Sequence, residues 1–240
     1  FDEQLAELKE LLIEMGNLNC KAIDDAVGAL ERQDTELAKK TKAVETQVDE
    51  KEMQIERLCL KIILKQQPVA SDLLFVTSAM KMITDMERIA DQAVDISDLV
   101  IKMSTLPYAD HLTEISEMAE KVRDMVKKVV EAFVELSCDK AKEVCRADDA
   151  VDDLFEVVKG KVTGVVHKDI DEDTNGEQAL DLLMIAKNAP VQGAFFAPCL
   201  RKDACTEKHE RKIFAPRQTA AAQSPFFLRA VHKFFTFLTT

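Results

Sequence analysis

Two rows of carboxylates have a spacing on which chemistry could be built. Glu87, Asp91, Asp95 and Asp98 recur at steps of four, four and three residues, and Glu45, Asp49, Glu52 and Glu56 form a similar series upstream. At about 100° per residue each series is a narrow acidic stripe on one face of a helix. A single stripe of this kind is ordinarily a solvated face. Two stripes on antiparallel neighbours are a different matter, because their ExxxD pairs can come alongside each other. Like charges one turn apart cost a helix a few tenths of a kcal/mol per pair, about 0.2–0.5. Carboxylates gathered between helices repel further, so either a proton is held or a cation sits among them. Oxygen ligands without Cys or His suit Mg, Ca, Mn or Fe better than structural zinc. Arg88 can neutralise only part of such a cluster.

The elements that position these acids are long amphipathic helices. Phe75, Ala79, Met82, Met86, Ile89, Ala93, Ile96, Val100 and Met103 alternate in steps of four and three. This apolar seam predicts one long helix within residues 67–103, with the acids roughly opposite. The preceding helix has Val44, Val48, Ile55, Cys59 and Ile62 as its buried side. Asp34 is its expected N-cap, and Pro68 forbids its continuation beyond about Gln66. A first helix, about Asp2 to Glu31, spaces Leu5, Leu8, Leu12, Met15, Cys20, Ile23, Val27 and Leu30 as core. Beyond Pro107 a fourth helix is expected over about 110–136, its seam running from Leu112 through Ile115, Met118, Val122, Met125 and Val129 to Phe133. His111 at its start is a surface residue on this reading. A fifth is expected over about 139–170.

An internal repeat appears at an offset of 103 residues. It sets Glu45 on Asp148, Val48 on Val151, Asp49 on Asp152 and Met82 on Ile185. One constant offset serving two helices implies a duplicated three-helix unit. The second acidic stripe is thinner, since Glu52 falls on Phe155 and Glu56 on Lys159, although Asp149, Asp153 and Glu156 could broaden it. At positions 190 and 194, where the repeat calls for acids, the chain has Pro190 and Ala194.

The ordered combination of Val48-Asp49, Ile55-Glu56, Gln67-Pro68-Val69-Ala70-Ser71-Asp72-Leu73 and Glu87-Arg88-Ile89-Ala90-Asp91 resembles the PhoU family of phosphate-signalling proteins, over about residues 1–187 and most closely in the first half. The resemblance implies an all-α fold of two tandem antiparallel three-helix bundles, here with the second incomplete. It implies domains at 1–106 and 107–187, followed by a divergent segment at 188–240. It implies a cytoplasmic negative regulator of phosphate uptake and of the phosphate-starvation response, whose partners are the phosphate ABC transporter and its sensor histidine kinase, with the membrane reached only through those partners. It also implies a multinuclear metal cluster of Fe, Mn, Mg or Zn on Glu45, Asp49, Glu87 and Asp91, with Asp148 and Asp152 as a remnant of a second site. Leu74 departs from the family, which often has a basic residue there, and this bears on surface contacts. The oligomeric state, a homodimer among the options, is left open.

The composition sets limits. A net charge of −12 argues against nucleic-acid binding by the main body. With no apolar run of about 18 residues and no signal peptide, the expectation is a soluble protein, and a start at Phe rather than Met implies a few residues before it. The six cysteines contain no CxxC pair, so reduced core thiols are expected.

From Asn188 the character of the chain changes. Eight of the twelve Phe and four of the six Pro lie there, and eight Lys and Arg against three acids give +5, leaving −17 on residues 1–187. One reading is a genuine basic, aromatic extension that touches a membrane or nucleic acid. A second makes Cys199, Cys205 and His209 metal ligands, but their spacing matches no zinc pattern. The abrupt loss of both repeat and composition favours a third, a reading-frame shift or joining error near Lys187. In that case the apolar seams of the fourth and fifth helices would be left exposed.

Other functional classes remain in view. A helical scaffold whose acids bind nothing is one. A carboxylate-bridged di-iron enzyme is another, but that architecture wants inward-facing Glu with ExxH pairs, and no ExxH occurs. With no paired nucleophile and base and no Gly-rich phosphate loop either, the sequence reads as a non-enzyme.

Overall fold

The structure, a computed structural model, describes residues 1–69, 71–104, 112–168 and 173–188. Every regular element among them is an α-helix: α1 (Asp2–Arg32), α2 (Thr35–Gln66), α3 (Ser71–Met103), α4 (Leu112–Val134), α5 (Cys138–Lys168) and α6 (Asp173–Asn188). The first three form one antiparallel bundle and the last three a second, shorter one. α1 packs against α2, α3 and α4, and α6 packs against α5 and α3.

The helix boundaries follow local chemistry. Asp34 caps α2, its Oδ1 accepting from the backbone N–H groups of Glu36 and Leu37, each at 3.0 Å. Gln67 is left-handed at φ 47°, and Pro68 prevents another turn, so α3 begins only at Ser71. α1 ends at Gln33, left-handed at φ 53°, with the Asp34 N–H donating to the Ala29 carbonyl at 3.0 Å. α4 ends in the same way, at Leu136 with φ 53° and the Ser137 N–H donating to the Ala132 carbonyl at 2.9 Å. Gln33 and Leu136 are related by the offset of the sequence repeat, so the duplication extends to the caps. The Lys140 N–H donates to Ser137 Oγ, which starts α5 as Asp34 starts α2.

The whole α3 seam from Phe75 to Met103 is buried, as are Val44, Val48, Ile55, Cys59 and Ile62 of α2 and the α4 seam from Ile115 to Phe133. These side chains join one hydrophobic core that continues from the first bundle into the second. Truncating one of the large fully buried ones, such as Met86, to alanine costs about 2–5 kcal/mol. Phe75 of α3 stacks on Phe133 of α4 at 4.9 Å between centroids. The α5 seam is covered in part by α6, which also packs on α3; Leu182, Ile185 and Ala186 of α6 are buried, and Asp181 pairs with Lys102 of α3 at 3.1 Å.

The thiols divide. Cys59 is buried and Cys20 half-buried, but Cys145 is exposed, which corrects the expectation of core thiols throughout. Position 145 lies between Val144 and Val151 in α5 without sharing their face. Pro107, Tyr108, His111, Pro190, Ala194 and the three readings of the segment beyond Asn188 lie outside the described residues.

Candidate acidic site on the second and third helices

α2 and α3 run antiparallel, with the Thr84 hydroxyl donating to Glu52 Oε1 across the pair at 3.3 Å. This register sets Asp49 level with Glu87 on the outer face. The inner faces of the same turns hold Val48, Met86 and Ile89 in the core, so the acids can only point outward. Asp49, Glu52 and Glu87 are half-buried between the two helices, and Asp91 is exposed beside them.

Their electrostatics show which groups meet. The Glu87 carboxyl is pushed up to about 7, first by loss of hydration, then by the charges of Asp91, Glu52 and Asp49, and by a hydrogen bond to Asp91. Asp49 is raised by partial burial and by Asp91, with Lys42 opposing. Glu52 is raised by partial burial and by the charges of Asp49, Glu56 and Asp91, with Thr84 opposing. Asp95 is raised by partial burial and then by Asp91 and Asp98.

The structure thus brings together Asp49, Glu87 and Asp91 and adds Glu52. Glu45 accepts a hydrogen bond from Thr46 at 3.3 Å and is not among the charges acting on this group. Glu52 was already part of the α2 stripe. What the spacing lacked was the register that lays it against α3. Arg88 acts on Asp85, whose carboxyl burial raises to about 6 while Arg88 pulls it down, and it does not figure among the charges felt by Glu87.

In the second bundle Asp148 is raised to about 6, by burial first and then by Asp152 and Asp149. Asp152 is raised by burial and by Asp149, Asp153 and Glu156. All of these acids belong to α5, so this cluster comes from one helix where the first is shared by two.

The donors on α2 and α3 are all carboxylate oxygens, three of them held with raised proton affinity by partial burial first and by one another's charge second. That chemistry fits a hard divalent cation, which relieves the same repulsion a proton does. Among the described residues no group of three or more Asp, Glu, His or Cys side chains converges on one point. The face therefore suits a cation that keeps water in its shell better than a closed cage.

A duplicated helical bundle with an acidic outer face fits a regulator as well as a scaffold, and comparison with known proteins narrows it. The model of the PhoU domain matches residues 12–100 and 115–189. The chain belongs to the PhoU family. It is 35% identical over 170 residues to the phosphate-specific transport system accessory protein PhoU homolog of Clostridium acetobutylicum, covering 70% of this chain and 78% of that one. It is 32% identical over 186 residues to the corresponding homolog of Aquifex aeolicus, covering 78% and 83%. Among solved structures, PhoU from Pseudomonas aeruginosa superposes with a TM-score of 0.77 at 25% identity over 83% of this chain and 95% of that one. The phosphate transport system regulatory protein PhoU from Streptococcus pneumoniae shares the fold, with a TM-score of 0.74. No helix among the described residues is long and apolar enough to cross a membrane.

Proposed function

We propose that this chain is an accessory regulator of a phosphate-specific transport system, restraining phosphate uptake and the phosphate-starvation response from the cytoplasmic side. It acts by contact with the phosphate ABC transporter and its sensor histidine kinase and not by catalysis. The observation that carries this reading is its relation to proteins named for that system across both halves of the chain. The test is to express it in a strain lacking its own PhoU and to measure phosphate uptake in phosphate-rich medium. Restrained uptake is expected, and uptake as fast as in the uncomplemented strain would sink the reading.

On this proposal Asp49, Glu52, Glu87 and Asp91, with Glu45 one turn away, hold Fe, Mn, Mg or adventitious Zn on the outer face of the first bundle. When bound, the metal supplies counter-charge and stabilises one packing of α2 on α3. Asp148 and Asp152 form a weaker single-helix remnant. Equilibrium dialysis against Mn(II), followed by metal analysis, tests this part separately: retention lost in Asp91→Asn supports it, and no retention by the unaltered protein removes it. The alternative of a metal-free scaffold is favoured by one observation, the absence of a convergent ligand trio among the described residues.

A further inference from the structure

Where α2 turns into α3, the surface departs from the rest of the molecule. Of the twelve large apolar side chains exposed among the described residues, five fall within fifteen residues: Leu60, Leu64, Val69, Leu73 and Leu74. The two most exposed, Leu64 at 76% and Val69 at 74%, flank the left-handed Gln67 and Pro68, so the apolar surface is convex and projects from the end of the bundle. Leu60 and Leu64 are one turn apart on α2, and the register set by Glu52 and Thr84 places Leu64 level with Asp72, next to Leu73. These five side chains therefore form one patch.

The charge of this hairpin is also unlike that of its surroundings. Residues 57–81 carry Arg57, Lys61, Lys65 and Lys81 against Asp72 alone, a net +3 in a chain of −12. All four cations are exposed, and none has an ion pair among the described residues. Elsewhere on the same helices cations find partners, as Lys39 does with Glu36 and Lys51 with Glu14.

We propose that this hairpin tip is a membrane-contacting element, in which Leu64, Val69 and Leu74 enter the headgroup region of an anionic bilayer while Lys61 and Lys65 reach the lipid phosphates. A projecting apolar knob cannot be covered by a flat surface but can be taken up by a deformable interface. Lysines around it bury their methylene stems and keep their ammonium groups at headgroup level. The attraction is local. Asp2, Glu3 and Glu7 reach the same end on α1, whose Gln4 accepts a hydrogen bond from Gln66, and the body as a whole is acidic. The hairpin is therefore favoured only within about one Debye length, ~8 Å at physiological salt, and only when the tip faces the bilayer. The exposed apolar side chains and the lysines beside them together thus set one orientation, with the acidic face of α2 and α3 held back from the lipid.

The chain contains no tryptophan, so one introduced at the tip reports on this site alone. The test uses full-length Leu64→Trp with vesicles of phosphatidylcholine and phosphatidylglycerol, and with phosphatidylcholine alone as the control. The expected result is a blue shift and an intensity gain with the anionic vesicles only, reversed by high salt. Adding Lys61→Gln and Lys65→Gln should lower the partition coefficient by about fivefold per lysine. Val69→Trp repeats the measurement outside a helix, should Leu64→Trp disturb the fold. Sedimentation with vesicles without a tryptophan shift would overturn the proposal by placing the contact elsewhere, for example on residues 189–240. No sedimentation and no shift would overturn it as well, and would leave a partner protein or a second copy as the cover for the patch.

Discussion

The Cys20 thiol on α1 donates to the backbone carbonyl of Arg123 on α4 at 3.7 Å, and the two residues are 103 positions apart. A residue that touches its own repeat equivalent lies on the two-fold axis relating the two copies. Other contacts at the crossing obey the same axis. Gly16 faces Val130, and their equivalents Ala119 and Val27 line one small apolar cavity. Arg123 pairs with Asp24 at 3.2 Å, and the equivalent Lys127 acts on Cys20. The bundles are thus joined at an axis running through the α1–α4 crossing.

The close approach there depends on Gly16. A Cβ at this position would stand 2.9 Å from Val130 Cγ2, and a β-branched side chain has little room to turn away. Gly16→Ala gains about 1 kcal/mol of helix propensity but overpacks the crossing by about 1–3 kcal/mol. The net expectation is a lower melting temperature, with recovery when Val130→Ala is added. A stabilised single variant would show that the helices separate freely.

Crowding at Glu87 predicts a stabilising substitution at the acidic face. Glu87→Gln removes the group that Asp91, Glu52 and Asp49 all oppose. In metal-free protein at pH 8 it should raise the melting temperature by about a degree or two, a gain of a few tenths of a kcal/mol for a half-buried charge still screened by solvent. It should also blunt any stabilisation by Mn(II). Calorimetry with and without the metal checks both, and a lower melting temperature in chelator would contradict the repulsion.

The same groups set a pH dependence. Raised carboxyls mean that the folded state binds protons which the unfolded state has released. Stability from this source is therefore greatest at low pH and falls as pH rises from about 4.5 to about 7 at Glu87, and from about 3.8 to about 6 at Asp148. Metal-free protein should melt higher at pH 6 than at pH 8, by on the order of half a kcal/mol once solvent screening is allowed for. Mn(II) should reverse the order. Melting curves identical at both pH values in chelator would show that neither burial nor mutual repulsion raises the proton affinity of these carboxyls.

Asn19 is fully buried in α1, and neither its Oδ1 nor its Nδ2 has a hydrogen-bond partner. An amide without partners costs about 1–3 kcal/mol. Asn19→Leu keeps the branched four-atom skeleton of the side chain, although it is bulkier, and should therefore stabilise the first bundle by up to about 1 kcal/mol in denaturant titration. Destabilisation would mean that the amide is satisfied in solution, by water or by a partner.

Much of the fold is legible in the chain because its signals are local. The seams of α2, α3 and α4, the Asp34 cap, the stop at Pro68 and the 103-residue repeat each rest on residues within one helix or one turn, and the buried side chains follow them. Asn19 escaped because a single polar residue on a core face does not disturb a periodicity. Cys145 differs because the periodic residues around it, Val144 and Val151, define a buried face that it does not share.

The sequence by itself determined that there are acidic stripes, on which helices they lie, and that they point away from the core, since a helix fixes its own faces at 3.6 residues per turn. Only the tertiary structure decided which acids meet. That Glu52 rather than Glu45 joins Asp49, Glu87 and Asp91 depends on the sliding register of two helices whose facing residues are about thirty positions apart. That register is set by the interlocking of buried side chains along the whole α2–α3 interface, a sum of many small contacts that no single spacing records.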